Sequence, residues 1–300
     1  MAEHQPVTLS DPSSSVTATY VPAAGMICTS LADGGVEFLG QRRGVEAYIT
    51  SGKTMGIPLL YPWANRLSSS KYAIDGGVVT LTPGVAGVRT DENGVPIHGV
   101  LGAYPGWVVT ERSDNTLVAE VDWTDKPRLL ATFPFPHVLT MSVTLADRTL
   151  TVDTTVTPSA AAPVPLCYGY HPYLQIPDVA RAQWQLQSPT MRHLRVDAWG
   201  LPTGATEEWA GGTAPLGDRE LDHGFDQVGD GALFVLAGGD RRVEVTFEKG
   251  YPAAQLFAPS ADDLVAVEPM AAPTDALRRE NYRVAAPGEP DTSRFTIRVT

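Results

Sequence analysis

The feature that most limits what this chain can fold into is the alternation of apolar and polar residues in short runs. Met141, Val143 and Leu145 are apolar positions two apart, a turn follows at 146–148, and a second alternating run begins at Leu150. Because the side chains of a β-strand point alternately to its two faces, a period of two predicts a strand with one buried face. Two such runs joined by a short polar turn predict an antiparallel hairpin.

The same pattern recurs through the whole sequence, whereas helical signals are scarce. The best helical signal predicts a short helix over 274–281, with Thr274 as its N-cap and Asn281 at its end. Strands without alternating helices predict an all-β fold, with antiparallel sheets packed as a sandwich or closed into a barrel. Further hairpin turns are expected at Asp75-Gly76-Gly77, Ser113-Asp114-Asn115 and Gly238-Gly239-Asp240.

The domain organisation depends on whether the sequence contains a linker. A chain of 300 residues has the length of about two average domains, but large β-sandwiches also reach this length as one unit. The nearest linker candidates, 202–218 and 287–293, have the composition of surface loops. We therefore expect a single domain over 1–300, with residues 1–14 flexible.

The charge balance excludes several classes of partner. The chain has 22 Lys and Arg against 34 Asp and Glu, a net charge of −12. Such a chain repels nucleic-acid phosphates and anionic lipids unless it has a basic patch, and none occurs in the sequence. No membrane span or secretion signal is recognisable, and Cys28 and Cys167 form no CxxC pair. These features predict a soluble cytoplasmic protein without a nucleic-acid or membrane partner.

Motif searches leave only a few polar residues as candidates for chemistry. The sequence contains no GxGxxG, GxxxxGK[ST], GxSxG or HExxH, which excludes the common nucleotide, hydrolase and zinc-protease templates. The remaining candidates stand beside Gly, Pro or aromatic residues: Asn65, Arg66, His98, His171, Asp226 and Glu268.

Glu268 and His171 are the strongest acid–base candidates. Glu268 follows the apolar run 264–267 and precedes Pro269, so it is predicted at the end of a buried strand, where lost solvation raises the pKa of a carboxyl. His171 lies in the aromatic segment CYGYHPYL, where an imidazole can act as a general acid. The alternatives are a Glu268 that is solvated or paired with an Arg, and a His171 that only packs in the core.

The other candidates also permit two interpretations each. His98 lies in PIHG, where the flanking Pro and Gly predict a sharp turn that presents the ring from a loop. Asn65 and Arg66 could form a hydrogen-bonding fork for a polyol or an ordinary buried ion pair.

Two further kinds of site stay open at this point. His98, His171, His223 and Asp226 could converge on a metal ion, as histidines do on a cupin-like barrel. Glu268 and Asp226 could instead form the carboxylate pair of a glycosidase, although that would leave the two histidines unexplained.

Segments taken in chain order resemble the aldose 1-epimerase (galactose mutarotase) family over about residues 57–277. The resemblance implies a large single-domain antiparallel β-sandwich, the galactose mutarotase-like supersandwich. It also implies an enzyme that needs no cofactor or metal and interconverts the α and β anomers of free sugars. The segments are IPLLYPWANRL, GVPIHGVLGAYPGW, FPFPHVLTMSVTLADRTLTVDTTV, YGYHPYLQIP, LDHGFDQV and VAVEPMAAPTDAL.

The resemblance further implies a role for each candidate. Glu268 matches the general base and His171 the general acid. Asp222 and Asp230 lie in the same loop as Asp226 and remain alternatives to it. The groups that match sugar-binding positions are His98, Asp226, Arg66, Asn65 and Gln255.

The expected partner is a small-molecule sugar. The sugar-6-phosphate relatives carry an Arg shortly after the first His-Gly motif, and the sequence 100–102 here has none, although Arg89 leaves phosphosugars open. Trp63, Trp107 or Tyr173 could stack on a sugar ring or pack in the core. The alternatives to a free-aldose 1-epimerase are a non-catalytic carbohydrate-binding or sensor protein on the same fold and a hexose-6-phosphate 1-epimerase. A monomer or homodimer is expected.

Overall fold

Strands make up most of the regular structure. The computed structural model of the chain describes residues 4–159 and 161–300. Its first strands are β1 (Val7–Ser10), β2 (Val16–Val21), β3 (Ile27–Asp33), β4 (Val36–Glu37), β5 (Leu59–Leu60), β6 (Lys71–Ile74), β7 (Gly77–Thr80), β8 (Val108–Arg112), β9 (Thr116–Asp122), β10 (His137–Ala146), β11 (Thr149–Pro158) and β12 (Val164–Leu166). The later strands are β13 (Gly169–Tyr170), β14 (Tyr173–Leu174), β15 (Gln185–Ser188), β16 (Met191–Val196), β17 (Pro202–Trp209), β18 (Gly212–Pro215), β19 (Leu221–Asp226), β20 (Ala232–Gly238), β21 (Arg241–Lys249), β22 (Ala253–Ala258), β23 (Val265–Met270), β24 (Arg283–Ala285) and β25 (Asp291–Val299).

Helices are short within the described residues. The α-helices are α1 (Gly44–Ser51), α2 (Pro127–Leu130) and α3 (Ala276–Arg279), and single 3-10 turns occur at Pro22–Ala24 and Arg181–Gln183. None of the helices in residues 4–159 and 161–300 has the length and apolar character needed to span a membrane.

Two large antiparallel sheets form the body of the molecule. The larger has the strand order β18-β15-β20-β21-β25-β11-β10-β9-β8, and the other has the order β17-β16-β19-β22-β23-β13-β5, with β14 also pairing with β23. A smaller sheet contains β1 to β4, and the pairs β12-β24 and β6-β7 stand apart.

The four predicted hairpins are confirmed. They are the pairs β6-β7, β8-β9, β10-β11 and β20-β21. In β10-β11, Val143 faces Val152, and the two-residue turn at Asp147 and Arg148 has positive φ at both positions. Positive φ at both central residues gives the turn a twist that matches the twist of the paired strands.

The two large sheets pack against each other, as an antiparallel sandwich requires. The Tyr170 ring on β13 lies 4.9 Å from the Phe295 ring on β25, measured between centroids. The Tyr170 hydroxyl also forms a 2.6 Å hydrogen bond with Oγ1 of Thr154 on β11. The main buried cluster contains apolar residues of both sheets, including Val152, Phe295 and Val267. The predicted all-β antiparallel sandwich is confirmed.

Local details differ from the sequence-based expectations. The helix expected over 274–281 is shorter, and Asp275 rather than Thr274 stands at its N-cap position. The Asp275 carboxylate accepts hydrogen bonds from the backbone and hydroxyl of Ser68, which fixes the start of α3. The sequence analysis did not predict α1. Of the residues expected to be flexible, 1–3 lie outside the described residues, and Val7–Ser10 form β1, paired with β2.

Candidate active site

Glu268 lies in the middle of the smaller of the two large sheets. It is on β23, directly opposite Gln255 on β22, and only 2% of its surface is exposed. Burial raises the pKa of Glu268 well above its ordinary value, and the negative charge of Asp222 raises it further, whereas Arg66 lowers it. Its Oε2 atom has no hydrogen-bond partner among the described residues. A buried polar atom without a protein partner is costly, so this oxygen is available to accept or donate a hydrogen bond to a bound molecule.

His171 faces Glu268 from the end of β13. Its Nε2 atom lies 3.2 Å from Oε1 of Glu268, and 6% of the residue is exposed. Burial lowers the pKa of His171 well below its ordinary value, and the neighbouring His98 and Arg42 act in the same direction. The Nδ1 atom of His171 has no partner among the described residues.

Tyr173 holds the His171 ring in place. The two rings stack with centroids 4.1 Å apart and an interplanar angle of 20°, and the Tyr173 hydroxyl lies 3.3 Å from Nε2 of His171. That hydroxyl also forms a 2.6 Å hydrogen bond with Oγ1 of Thr54 and accepts one of 3.2 Å from Arg42. The sequence analysis missed this role. The available signal was the spacing of two residues, which puts both rings on one side of an extended segment.

His98 approaches the His171 ring from a loop. The ring centroids are 5.8 Å apart, with the rings nearly perpendicular. His98 has a φ of 60° and Gly99 a φ of 66°, and a side chain at Gly99 would collide with the backbone of Tyr61, so glycine is required there. Burial lowers the pKa of His98 to about 3, helped by the charges of Arg66 and Arg89. The ring is therefore neutral near pH 7, and its Nδ1 has no partner among the described residues.

Asn65 and Arg66 border the same site. The backbone N–H of His98 donates a 3.0 Å hydrogen bond to the Asn65 carbonyl, which ties the two loops together. The Arg66 guanidinium donates a 2.7 Å hydrogen bond from Nε to Asp91. The buried ion pair considered for Arg66 is therefore present, and the side chain also lines a narrow crevice beside Gln255.

The acidic residues near β19 occupy different environments. Gln255 donates a 2.5 Å hydrogen bond from Nε2 to Oδ1 of Asp222. Because Gln255 lies directly opposite Glu268 in the sheet, this bond places Asp222 near Glu268. Asp226 instead accepts two hydrogen bonds, of 2.7 and 2.6 Å, from Arg192 on the neighbouring strand β16. Asp230 accepts a hydrogen bond from the backbone of Gly250.

Asp226 differs from Asp222 in the partner of its carboxylate. Its carboxylate is engaged by Arg192, directly opposite it in the sheet, whereas Asp222 lies in the crevice formed with Arg66 and Gln255. The sequence analysis had kept Asp222 open as an alternative, and the geometry favours Asp222.

The four residues considered as metal ligands do not gather at one point. His98 and His171 lie together, but the His223 ring packs 4.6 Å from the His193 ring, and Asp226 is paired with Arg192. Over the part of the chain that the structure describes, no group of three or more His, Cys, Asp or Glu is arranged to hold a metal ion.

The aromatic residues considered for sugar stacking are almost fully buried. Trp63 is 1% exposed, Trp107 7% and Tyr173 2%. Packing in the protein interior is their observed role, with Tyr173 also contacting His171.

The arrangement is suited to moving protons. A buried carboxyl faces a buried imidazole, both retain a polar atom without a partner, and hydrogen-bonding groups of His98, Gln255 and Arg66 surround them. Ionisable groups with strongly shifted pKa values are typical of acid–base sites. Fold and site together define a class: an antiparallel β-sandwich protein with a buried carboxyl–imidazole pair on one of its sheets.

The comparison with known families agrees with this class. The model of the family described as aldose 1-epimerase matches residues 7–298, and the chain belongs to that family. The uncharacterized protein YphB of Escherichia coli is 24% identical over an alignment of 319 positions, gaps included. The alignment covers 93% of this chain and 98% of that protein.

Solved structures share the fold. The galactose mutarotase-like protein of Clostridium acetobutylicum superposes with a TM-score of 0.84 at 17% identity, over 100% of this chain and 96% of its own. The Slr1438 protein of Synechocystis gives a TM-score of 0.79 at 22% identity, over 99% and 96% of the two chains.

Proposed function

We propose that this protein is an aldose 1-epimerase that interconverts the α and β anomers of an aldose without a cofactor. The observation that carries the proposal is the buried contact of 3.2 Å between Glu268 and His171, with a free polar atom on each side chain. Anomer exchange needs one group that takes a proton and one that gives a proton at two neighbouring oxygens. A carboxyl and an imidazole in contact supply both.

The proton balance of the reaction suits this pair. Glu268 takes the proton of the C1 hydroxyl and His171 gives a proton to the ring oxygen, so the bond between C1 and the ring oxygen breaks and an aldehyde forms. After rotation about the C1–C2 bond, the former ring hydroxyl attacks C1 from the other face. His171 then regains its proton, and Glu268 returns its proton to the new C1 hydroxyl, so no net proton is consumed.

The surrounding residues are assigned to holding the sugar. His98 is neutral near pH 7, so it can donate and accept hydrogen bonds without adding charge. Arg66, Asn65, Gln255 and Asp222 offer donors and acceptors suited to hydroxyl groups. Fixed donors aimed at an oxygen that gains charge stabilise the transition state.

The proposal is tested by following fresh α-D-glucose, α-D-galactose and a panel of other aldoses, neutral and acidic, by polarimetry or NMR. We expect exchange faster than in buffer alone. Glu268→Gln keeps the shape of the side chain but cannot take a proton, so we expect kcat to fall about 10² to 10⁴-fold. Glu208→Gln, at an exposed position of β17, is the matched control and keeps the wild-type rate.

The outcome that contradicts the proposal is an exchange rate equal to that in buffer for every aldose of the panel. Sugar binding without exchange would favour the non-catalytic carbohydrate-binding alternative. Full activity of Glu268→Gln would move the base to another residue.

A further inference from the structure

A cleft of about 520 Å³ lies beside the candidate active site, between α1 and the loops that carry Arg89 and His98. This volume lies in the range of small-molecule sites, about 300–1,000 Å³. Its charged lining consists of Lys53 and Arg89, and among the described residues no Asp or Glu lines it. In a chain with 34 acidic and 22 basic residues, a cleft whose charged residues are all cationic has the opposite sign to the net charge of the protein.

Arg89 is held in a socket made by two glycines. A Cβ atom at Gly52 would lie 2.6 Å from its Nη1, and one at Gly102 would lie 2.7 Å from the same atom. The guanidinium lies 6.0 Å from the centre of the Tyr48 ring and donates one hydrogen bond, of 3.1 Å, to the carbonyl of Gly102. Either glycine, replaced by a larger residue, would push Arg89 out of this position.

The donors of Arg89 are mostly unused. It forms no ion pair with any acidic residue that the structure describes, although a guanidinium has five N–H donors. A guanidinium presents these donors as a planar fork that matches a carboxylate or a phosphate.

Two residues of the cleft lie close to the candidate catalytic pair. His98 lines it, and the His98 ring lies 5.8 Å from that of His171. Thr54 lines it too, and the Thr54 hydroxyl bonds the Tyr173 hydroxyl that touches His171. A molecule bound to Arg89 therefore lies in a cleft that contains His98 and Thr54, both within one contact of the residues around His171.

We propose that this cleft binds an anionic substituent of the sugar, with Arg89 as its main partner and Lys53 as a second cation. The aldose is then one that carries a carboxylate or a phosphate away from C1. This inference rests on the proposed function, because it places a substrate group next to the same site.

The test compares anomer exchange of D-glucose, D-glucuronate and D-glucose 6-phosphate by NMR, at low salt, with the full-length protein. We expect kcat/KM for at least one anionic sugar to exceed that for glucose by about tenfold or more, since hydrogen bonds to charged groups are worth about tenfold to hundredfold in affinity. A preference for glucuronate identifies the carboxylate as the ligand, and a preference for glucose 6-phosphate identifies the phosphate.

Variants separate this cleft from general charge effects. Arg89→Gln lowers the ratio of kcat/KM for the anionic sugar to that for glucose about tenfold or more, and Lys53→Met lowers it less. If Arg89→Gln fails to fold, Lys53→Met still tests the cleft, because Lys53 is exposed and its replacement does not disturb the protein interior. Arg43→Gln, which removes a charge at an exposed position next to α1 and outside the cleft, is the control and keeps the ratio.

The two proposals fail in different ways. Exchange of glucose at a kcat/KM equal to or above that of both anionic sugars, with a ratio unchanged in Arg89→Gln and Lys53→Met, overturns the anion cleft and leaves the epimerase. Absence of exchange for all sugars, with calorimetric binding of an anionic sugar that Arg89→Gln weakens, overturns the epimerase and supports the cleft.

Discussion

Glu268 and His171 share a buried contact, and the number of protons on that contact decides what the pair can do. Burial raises the pKa of Glu268 and lowers the pKa of His171, so when the pair holds one titratable proton, burial favours the uncharged form, a carboxylic acid beside a neutral imidazole. Transfer of that proton across the 3.2 Å contact gives the carboxylate and imidazolium form without exchange with water. The two groups titrate as a unit, so their apparent pKa values belong to the pair.

The pH profile of kcat/KM follows from this proton count. Activity requires one proton on the pair, so it falls at low pH when His171 also becomes protonated, and at high pH when the last proton leaves. Because the pKa of His171 is below its ordinary value of 6.5, we expect the acid limb below pH 6.5, and the raised pKa of Glu268 moves the alkaline limb to a higher pH than an ordinary carboxyl would give. Polarimetry with the buffer rate subtracted at each pH measures it. Loss of activity as the pH falls from 7.5 to 6.5 would contradict this proton count.

The acidic residues on β19 show what the sequence can and cannot predict about a site. Asp222 and Asp226 are four residues apart on one strand, so both side chains point to the same face, and no pattern within that strand separates them. The two aspartates are distinguished by their hydrogen-bond partners on neighbouring strands. Asp222 accepts from Gln255 on β22, and Asp226 accepts from Arg192 on β16. By contrast, the burial of Glu268 follows from the apolar run that precedes it, and the sequence predicted it.

Substitution of these two aspartates tests the assignment. Asp222→Asn weakens a hydrogen-bonding group beside Glu268, so we expect KM to rise about tenfold, the effect of one charge-assisted hydrogen bond. Asp226→Asn is the matched variant on the same strand, and we expect less than a twofold change in kcat/KM. Steady-state kinetics of both variants on one sugar measures the difference. The reverse pattern would return the sugar contact to Asp226.

At the scale of elements, the long hairpin β10-β11 is tied to the N-terminal sheet through Asp11. The Asp11 carboxylate accepts hydrogen bonds from the backbone N–H groups of Asp147 and Arg148 at the hairpin turn, and from the hydroxyls of Ser13 and Ser14. Burial alone would raise the pKa of Asp11, but these hydrogen bonds outweigh it and lower the pKa well below its ordinary value. The carboxylate form therefore stabilises the junction.

Removal of this carboxylate lowers the free energy of unfolding. Asp11→Ala leaves part-buried donors of the turn without their protein partner, so we expect a loss of about 1–3 kcal/mol in urea unfolding at pH 7. The loss shrinks as the pH falls below about 4, because Asp11 of the unfolded wild-type chain then takes up a proton while the folded carboxylate, whose pKa is lowered, stays ionised. The wild-type protein therefore loses this stabilisation progressively as the pH falls towards the lowered pKa. Asp114→Ala, an exposed aspartate in the neighbouring β8-β9 turn, serves as control and stays within about 0.5 kcal/mol. Equal losses for both variants would show that the Asp11 contacts do not stabilise the junction.

The elements themselves were predicted unevenly. Hairpins such as β10-β11 could be predicted because the alternating pattern and the turn residues are both local. Strands of two residues, such as β5 and β13, exist only through pairing with each other and with β23, so no local pattern indicates them. The helix α1 was hard to predict because its apolar residues are only weakly grouped on one face, and only Tyr48 is buried. The clearest sequence signal for this helix is Gly52, which ends it in a left-handed conformation.

At the scale of the whole molecule, the two large sheets share one buried cluster. Tyr170 connects them directly, by a ring contact with Phe295 and a hydrogen bond with Thr154. The site residues also come from distant parts of the sequence, from Asn65 to Glu268. We propose that the described residues form one domain, as the sequence analysis expected.

One domain implies one unfolding transition. We expect differential scanning calorimetry to give a single peak with a ratio of van't Hoff to calorimetric enthalpy of about 1. Tyr170→Phe leaves the Thr154 hydroxyl without its partner, so the peak moves to lower temperature but stays single. Two resolved transitions, or a peak that Tyr170→Phe splits, would contradict the single domain.

The position of β25 in the larger sheet bears on how the chain acquires its structure during synthesis. This strand lies between β11 and β21, so it joins β18-β15-β20-β21 to β11-β10-β9-β8. The two halves of that sheet emerge from the ribosome earlier, and neither can pair with the other until Asp291–Val299 have been made. Until then, β11 and β21 both present an open strand edge, which is an aggregation hazard. The nascent chain is therefore most vulnerable to misassembly just before its last described strand is inserted.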